Sequence, residues 1–590
     1  MEESPKSTRR SHDTDKHDGN VLEMVSANTP HEEADSQKLT DSNGGRAPER
    51  HEKMSPRLFM TLVCMSFLWV GSQIPLYLFG SIITLLQKDI GGADRSAWFA
   101  IAYLIPLASV CPFVGALSDL FGRQKVAIVG QLTLIIGPII TATAHNMNVA
   151  IAGQVFSGVG AGLNELIALA GTGEIVPVKD RGKYVGGVIL TILPFCPAVL
   201  WAQFIAQDSS WRFNGLLIGL WNFVGLVLCI FCYHDPSRLT ETYTARHVLR
   251  QVDYVGGFLS VTGITLFMMG LQWGALQYKW GSAHNLGPFI IGCVFIIAFF
   301  VWEFYTPTPM VPRKLFSKAK RTMTVILLIT FLSGGNFFVL IIMWPTEIYN
   351  LYGDDPTGVG LRSLPIGFGI MVGACLCLVL IPITNGRIRE LMIFFTGLMT
   401  AGSALISIAT PHNLAAMYVI VSLAATGIGA VIFPSSIIAQ IACPDELIAT
   451  VTAITLSIRY IGGAIGYSIF TTVFARRAQD YLTNMVGVDV LVGKLVVNPL
   501  APGGIEAITV IVTEIANARF EAARTYVETN PAVLKHDAYP MILAAAQESF
   551  ALAYRYPYWI SIAFGVPCFI LSFFLGNIRA HLTSKIAVIV

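Results

Sequence analysis

Residues 115–125 read Gly115-Ala-Leu-Ser-Asp-Leu-Phe-Gly-Arg-Gln-Lys125 and form a short polar segment between two long apolar runs, residues 98–117 and 126–144. Each run is long enough to cross a bilayer, which takes about 20 apolar residues. The segment, called the 115–125 loop below, is therefore expected at one membrane face, where it joins two antiparallel helices. Its acid, Asp119, and its base, Arg123, can make contacts that form in one conformation and break in another. A gated pore or a carrier needs contacts of this kind.

The composition indicates a membrane protein with many spans. Of the 590 residues, 54% are hydrophobic and only 13% are charged, whereas about 25% are charged in soluble domains. The formal net charge of +2 gives no reason to expect a nucleic-acid partner. The start of the chain has no apolar leader, so we expect no cleaved signal peptide.

The motifs of common enzyme classes are missing from the sequence. It contains no GxSxG elbow, no G-x-x-x-x-G-K-[ST] phosphate loop and no HExxH motif. We therefore expect that the protein is not an enzyme, that it uses no cofactor and that ATP does not drive it directly. The 10 cysteines lie in or beside apolar runs, so neither a disulfide framework nor a metal site is expected.

The chain divides into a polar tail and a long series of apolar segments. Residues 1–54 are polar and of mixed charge, which predicts a disordered cytoplasmic tail. Fourteen apolar segments follow as candidate membrane spans. They are residues 58–84, 98–117, 126–144, 149–170, 184–206, 213–233, 254–273, 287–305, 322–346, 358–382, 391–410, 413–440, 446–474 and 556–578.

Lysine and arginine are distributed unevenly between the two sides of these spans. If the N-terminus is cytoplasmic, the cytoplasmic loops hold most of the basic residues. The short outside loops hold only Lys88, Arg95, Arg212 and Lys279. Basic residues accumulate in cytoplasmic loops, so both termini and the 115–125 loop are predicted to face the cytoplasm.

A weak internal repeat suggests two related halves. Asn385-Gly-Arg-Ile-Arg389 resembles Phe121-Gly-Arg-Gln-Lys125, although Ile383 stands where the first copy has Asp119. Repeats of this kind are typical of transporters whose site lies between the halves. We therefore predict an all-α membrane protein with 14 spans in a 6+2+6 arrangement. Its parts are an N-terminal bundle at 58–233, two linker helices at 254–305 and a C-terminal bundle at 322–578.

Residues 475–555, between the last two spans, are predicted to be a long extracellular loop. Ile508–Tyr526 and Ala538–Tyr554 are amphipathic, and Pro502–Gly504 interrupts them. We expect short helices that lie over the outer opening. They are a structural cap or, as the alternative, a lid over the substrate.

The fourth span carries the main cluster of polar residues. Gln154, Gly158 and Glu165 fall within about 40° of one another on a helix. Gly158 and Gly162 have a spacing that lets a neighbouring helix approach closely, so this face is expected to point into the bundle. Glu165, with Asn164 beside it, is a candidate proton carrier. A structural hydrogen bond is the alternative for Glu165.

The thirteenth span has a basic residue near mid-membrane, Arg459, followed by Gly462 and Gly466 as small packing residues. Arg459 is expected to bind an anionic substrate, to pair with a protonatable acid, or to form a fixed ion pair. Glu174 lies nearer the cytoplasmic end of the fourth span and is expected as a gate or interface residue. It is also a further candidate for proton coupling.

The fifth span contains two prolines, Pro194 and Pro197, which remove backbone donors and bend a helix. The bend is a candidate rocking point, although kinks in membrane helices are often only tolerated. The remaining candidates for the substrate cavity, besides Gln154 and Asn164, are Gln73, Gln203 and Trp273.

The 115–125 loop resembles the signature loop between helices two and three of the major facilitator superfamily. The matching residues are Gly115, Leu117, Asp119, Gly122, Arg123 and Lys125. Longer segments resemble the fungal trichothecene efflux pump family, within the fourteen-span drug:proton antiporter branch. They are Ile74–Phe79, Val110–Gly115, Gly160–Glu165, Arg181–Tyr184, Ile192–Pro197 and Trp201–Gln203.

The chain departs from the wider antiporter pattern at three places. Gln154 stands where many drug antiporters have arginine, and Cys196 precedes Pro197 where glycine is usual. The acid common in the first span of the fourteen-span group is missing near Gln73.

The resemblance implies a proton-driven exporter of small hydrophobic toxins, drugs or secondary metabolites. Proton-coupled uptake of a siderophore-iron complex or another metabolite is the alternative, and a membrane sensor without transport is a third possibility. The expected partners are a small-molecule substrate, protons and the lipid bilayer. We expect a monomer in the plasma membrane, with the vacuolar membrane as the alternative.

Overall fold

A computed structural model describes residues 56–92, 95–176, 180–234, 253–276, 278, 280–307, 309–353, 355–444 and 447–576. Side chains 116, 119, 120, 275 and 276 are outside this description, as is the predicted tail at 1–54. Within these ranges the regular structure is helical except for one isolated β-bridge between Val497 and Val533.

The helices form two bundles and a pair between them. The first bundle contains α1 Pro56–Gly80, α2 Ile83–Ile90, α3 Ser96–Phe121, α4 Arg123–Ala142, α5 Met147–Ile175, α6 Arg181–Leu190, α7 Ala198–Asp208 and α8 Phe213–Cys232. The pair is α9 Tyr254–Leu276 and α10 Ala283–Tyr305. The second bundle contains α11 Lys320–Phe338, α12 Trp344–Tyr352, α13 Pro356–Ile383, α14 Ile388–Leu405, α15 Leu414–Ala442, α16 Ile448–Tyr481, α17 Gly504–Ala516, α18 Phe520–Thr529 and α19 Tyr539–Ser572.

Twelve helical segments of the described part are long and apolar enough to cross a membrane. The protein is therefore an integral membrane protein with many spans. Two of the fourteen predicted spans are not among the twelve. The fifth is interrupted, and the fourteenth lies in α19, whose first half carries Gln547, Glu548 and Arg555.

The predicted fifth span is divided into α6, a 3-10 turn at Leu193–Phe195, and α7. Pro197 has no N–H to donate, and its ring obstructs a continuous helix. The Trp201 indole N–H donates to the Pro194 carbonyl at 2.8 Å, which satisfies one of the carbonyls left free at the break. A side chain next to the break therefore replaces part of the backbone hydrogen bonding that the break removes.

The two bundles meet along several helices, and α5 of the first bundle contacts α16 of the second. α3 of the first bundle packs on α16 of the second, and α13 of the second packs on α6 and α7. The linker helix α9 packs on α10 and also contacts α3 and α16. Only 11% of the residues in the most apolar stretch of α10 are buried. This helix therefore presents its apolar side chains outward, where lipid would lie.

The region predicted as a loop at 475–555 is shorter in the structure. α16 continues to Tyr481 and then, as a π-helix, to Val492, while α19 begins at Tyr539. Both helices extend beyond the apolar runs, because a change to polar residues marks the membrane surface and not the end of a helix. The segment between them, residues 493–538, contains α17 and α18 and is called the cap.

The cap rests on the second bundle. The ring centroids of Tyr349 and Phe520 are 5.8 Å apart, and the Tyr349 hydroxyl donates to the Ala518 carbonyl at 3.5 Å.

Within the first bundle, Asp89 of α2 accepts hydrogen bonds from the Trp211 indole at 2.8 Å and from Arg212 at 2.7 Å.

Candidate transport site

A buried ion pair joins the two bundles at their centre. Arg459 of α16 donates to Glu165 of α5, and their side chains are 2% and 0% exposed. The Tyr460 hydroxyl donates to the second Glu165 oxygen at 2.6 Å. Glu165 therefore has a partner on each oxygen, while Nε and Nη1 of Arg459 have no hydrogen-bond partner among the described residues.

Glycines bring the helices of this pair close to their neighbours. A Cβ at Gly158 would collide with the Tyr103 carbonyl of α3, and one at Gly162 would lie 3.0 Å from the Leu107 carbonyl. On α16, a Cβ at Gly462 would overlap the Phe331 carbonyl of α11. Gly466 of α16 lies against Gly335 of α11. Such contacts hold Glu165 and Arg459 at fixed depth and orientation.

A cavity lies between the bundles. Its walls come from α1, α6, α7 and the turn between them on one side, and from α13, α15 and the π-helical turn Val339–Met343 on the other. None of the described residues that line it is charged. The cavity can therefore receive an apolar molecule without desolvating an ionised group.

The cavity wall separates this space from the ion pair. Phe433 lines the cavity, and its ring centroid lies 5.7 Å from Cζ of Arg459. Trp69 packs edge-on against Phe433 at 5.9 Å. The indole nitrogen of Trp69 is buried and has no hydrogen-bond partner among the described residues. Trp69 thus brings an unpaired donor to a cavity wall whose other side chains are mostly apolar.

Two of the predicted cavity residues lie directly behind the lining. Gln73 accepts a hydrogen bond from the Tyr77 hydroxyl at 3.4 Å, and Gln203 donates to the Ser81 carbonyl at 3.2 Å. Both Tyr77 and Ser81 line the cavity. Gln73 and Gln203 therefore do not line the cavity but hold two residues that do, Tyr77 and Ser81, in place.

The other three predicted cavity residues have other surroundings. Asn164 faces α4. With its side-chain amide turned by 180°, it donates to the Ala127 carbonyl and accepts from the Gln131 N–H, both at 3.1 Å. Gln154 is 1% exposed. Trp273, on α9, lies with its ring centroid 6.4 Å from that of Trp98.

The 115–125 loop makes a sharp turn between α3 and α4. Gly122 has φ of 88°, a conformation that favours glycine. Arg123 follows it and forms a buried ion pair with Glu174 at the end of α5. Lys125 is exposed, Gly115 has open space around it, and the side chain of Asp119 lies outside the described residues.

The bundles are in contact at the end of the molecule that carries this loop. A Cβ at Gly173 of α5 would lie 2.6 Å from Oε1 of Gln440 on α15. A Cβ at Gly182 of α6 would lie 3.1 Å from the Leu378 carbonyl of α13. Gly173 is next to Glu174, so the Arg123 ion pair borders the closed end.

The opposite end contains a second space of about 1570 Å³, called the vestibule. Its lining includes Gln87 from the first bundle, Thr346, Asn350 and Tyr554 from the second, and Asn517 from the cap. Ile342, in the π-helical turn, lines both the vestibule and the central cavity. In this conformation the space between the bundles is hollow toward the cap and closed toward the 115–125 loop.

One buried acid, Glu347, was not among the predicted site residues. Glu347 of α12 is 0% exposed and accepts a hydrogen bond from the Tyr558 hydroxyl. The predicted ninth span ended at 346, which put Glu347 outside the membrane. Its signal was a single acid next to an apolar run, which is a functional candidate if the span continues.

Two helical bundles around a central cavity, with a polar loop at one end, define a membrane carrier of the major facilitator type and not an enzyme. Residues 25–589 match the family described as fungal trichothecene efflux pump (TRI12). The chain belongs to this family.

Relatives and solved structures agree with this class. Multidrug resistance protein 3 of Bacillus subtilis is 26% identical over 416 residues, which cover 68% of this chain and 77% of that protein. The MFS-type efflux pump MMF1 of Pseudozyma antarctica is 26% identical over 463 residues, covering 75% and 81%. The crystal structure of the human organic anion transporter MFSD10 covers 87% of this chain and 100% of its own, with a TM-score of 0.50 at 12% identity. The last likeness shows the fold alone.

Proposed function

We propose that this protein exports small, uncharged and mainly apolar molecules from the cytoplasm in exchange for protons. Toxins, drugs and secondary metabolites of the trichothecene type are the expected substrates. The family description and the names of two relatives, a multidrug resistance protein and an efflux pump, support export over uptake.

The uncharged central cavity is the observation that carries this proposal. None of the described residues that line it is charged, and small-molecule sites are commonly lined by apolar and aromatic side chains with a few polar groups. Aromatic and aliphatic walls favour a compact apolar skeleton, and the unpaired indole N–H of Trp69 suits an oxygen acceptor on it. A ferric chelate, the substrate of the alternative uptake function, gains little from walls without charge.

We further propose a topology for this function. Fourteen spans result if α6–α7 and α19 complete the twelve apolar segments, which gives the 6+2+6 arrangement with both termini in the cytoplasm. The cap then lies outside, and the observed conformation is open toward the cap side. The protein would act as a monomer in the plasma membrane or, alternatively, in the vacuolar membrane.

The two ion pairs have different proposed roles. Glu165 and Arg459 connect the bundles beside the cavity, so a proton taken up by Glu165 would weaken the connection and favour a change of access. Arg123 and Glu174 lie within one bundle at the closed end, and we assign them to the gate together with Asp119. Loss of the gate contacts should alter the balance of inward-open and outward-open states.

The test uses a yeast strain without its own drug pumps and a radiolabelled trichothecene. Expression should raise resistance and lower cellular label, and a protonophore should restore the label. Phe433→Ala removes a cavity wall and should weaken substrate binding about tenfold or more, since burial of such a side chain is worth about 1.5–3 kcal/mol. Phe304→Ala is the matched control, because Phe304 is 71% exposed on α10.

Two results would contradict the proposal. Unchanged resistance to every neutral toxin, together with growth rescue on a ferric siderophore, would favour the uptake alternative. Equal effects of Phe433→Ala and Phe304→Ala on binding would mean that the central cavity is not the substrate site.

A further inference from the structure

We propose that Glu347 is a second proton-binding site, in the C-terminal bundle, whose proton exchanges with the vestibule during the transport cycle. This inference rests on the proposed proton-coupled function and adds a residue that is separate from the Glu165 pair. It is carried by the burial of Glu347, its partners and its position next to the vestibule.

The surroundings of Glu347 differ from those of the other two buried acids on which the proposed function rests. Glu165 is paired with Arg459, and Glu174 is paired with Arg123. Among the described residues Glu347 has no ion pair, one oxygen accepts from the Tyr558 hydroxyl, and Oε1 has no hydrogen-bond partner. A buried carboxylate without a cation is very costly, whereas a neutral carboxyl is tolerated. The site therefore holds a proton in this conformation.

Among the described residues, the groups around Glu347 supply no cation. From α19 the Tyr558 hydroxyl donates to Glu347, and Tyr554 lies one helical turn before Tyr558. The one charged residue of α13, Arg362, donates to the Tyr352 carbonyl at 2.9 Å and forms no ion pair with Glu347. The π-helical turn before α12 has no titratable residue.

The cap, which also contacts α12, contains two ion pairs of its own. Its Arg519 lies 3.7 Å from Glu514, and its Arg524 lies 2.9 Å from Glu528. Both arginines of the cap are therefore already paired with acids, and its two lysines, Lys494 and Lys535, are exposed. None of these four cations forms an ion pair with Glu347.

Hydrogen-bonded polar groups that line the vestibule lie about one helical turn from this carboxyl along α12 and α19. Asn350 lies three residues after Glu347 on α12, and Tyr554 lies four residues before Tyr558 on α19. Asn350 donates to the Tyr554 hydroxyl at 2.9 Å, and Tyr554 donates to Thr346 at 3.4 Å. Asn350, Tyr554 and Thr346 all line the vestibule. Glu347 thus lies about one helical turn, roughly 5 Å, from groups that contact the aqueous space.

The proton itself is tested by infrared spectroscopy of the purified, reconstituted protein. At neutral pH the wild type should show the C=O stretch of a protonated carboxyl that Glu347→Gln lacks. Tyr558→Phe keeps the acid but removes its hydroxyl donor, so the band should persist at a shifted frequency. Glu390→Gln, a change at an exposed acid on α14, should leave the band unchanged. A wild-type band that survives in Glu347→Gln would overturn the proposal.

The role in coupling is tested in proteoliposomes loaded with labelled substrate. If Glu347 carries one coupled proton, Glu347→Gln should lower steady-state accumulation about tenfold at a pH gradient of one unit. Exchange of labelled for unlabelled substrate should persist. Unchanged accumulation, or loss of exchange together with accumulation, would overturn the coupling role. Absence of any exchange in the wild type would instead refute the proposed function, and the infrared result would still decide the proton site.

Discussion

Removal of Glu165 and removal of Arg459 should change the pH dependence of the protein's stability in different ways. Both side chains are buried, and removal of one partner from a buried pair costs about 3–5 kcal/mol. Glu165→Gln leaves a guanidinium that stays charged at every accessible pH. Arg459→Met leaves a carboxylate that can take up a proton. Only the second defect can be relieved by acid.

The size of this difference follows from proton linkage. In Arg459→Met the buried Glu165 carboxylate has no cation, and burial of an unpaired charge is costly. We therefore expect the folded variant to bind a proton there that the unfolded chain does not bind near neutral pH. The folded state is then favoured as the pH falls, by up to about 1.4 kcal/mol for each unit. Acidification from pH 7.5 to 5.5 should recover up to about 2.7 kcal/mol relative to wild type. Glu165→Gln should recover nothing over the same range.

The assay is the free energy of unfolding by SDS titration in mixed micelles at both pH values. The double variant Glu165→Gln/Arg459→Met has no unpaired charge, so it should regain most of the stability at either pH. Arg389→Met is the matched control, because Arg389 is exposed. Equal losses for both single variants at both pH values, without rescue in the double variant, would refute the reasoning.

Three further predictions concern the gate, the topology and the outer surface. Arg123→Ala should slow substrate exchange several-fold while the substrate Kd measured by equilibrium binding stays unchanged, because its ion pair lies at the closed end and not in the cavity. In a cysteine-free background, an impermeant thiol reagent should label Leu500→Cys of the cap from outside intact cells and should not label Phe121→Cys. The pKa of Asp89 is held below its ordinary range by hydrogen bonds from the Trp211 indole and then from the neighbouring guanidinium. The resulting stability is complete above about pH 4 and is lost as the pH falls further, so acid unfolding of Asp89→Asn should show a weaker pH dependence.

Much of the fold could be predicted because the apolar runs are long and the turns carry their own signals. The turn at Gly122 needs a positive φ, and glycine supplies it. The prolines at 194 and 197 predicted a bend in the fifth span, but they did not predict that the span would separate into α6 and α7. Helix ends were predicted less well, because α16 and α19 continue past the membrane surface into polar sequence.

The partners within the site could not be predicted. Glu165 and Arg459 were each recognised as costly polar residues in a span, yet they lie 294 positions apart. Their meeting depends on how the two bundles dock, which periodicity within one helix does not describe. Glu347 was missed for a simpler reason, since a predicted end at 346 left it outside the ninth span.

The position of the charges relative to the cavity constrains how coupling can work. The described residues of the cavity lining carry no charge, and Arg459 lies against the Phe433 wall. Glu347 lies on α12 between Thr346 and Asn350, which line the vestibule. A proton and a neutral substrate therefore do not compete for one group, as they would in a carrier that binds cations at an exposed carboxylate. On the proposed function, the proton acts on the contact between the bundles, and the substrate acts on the cavity that the same bundles enclose. Coupling then depends on the shared conformational change and not on direct contact. Neutral molecules of different shape should for this reason be exported with the same number of protons.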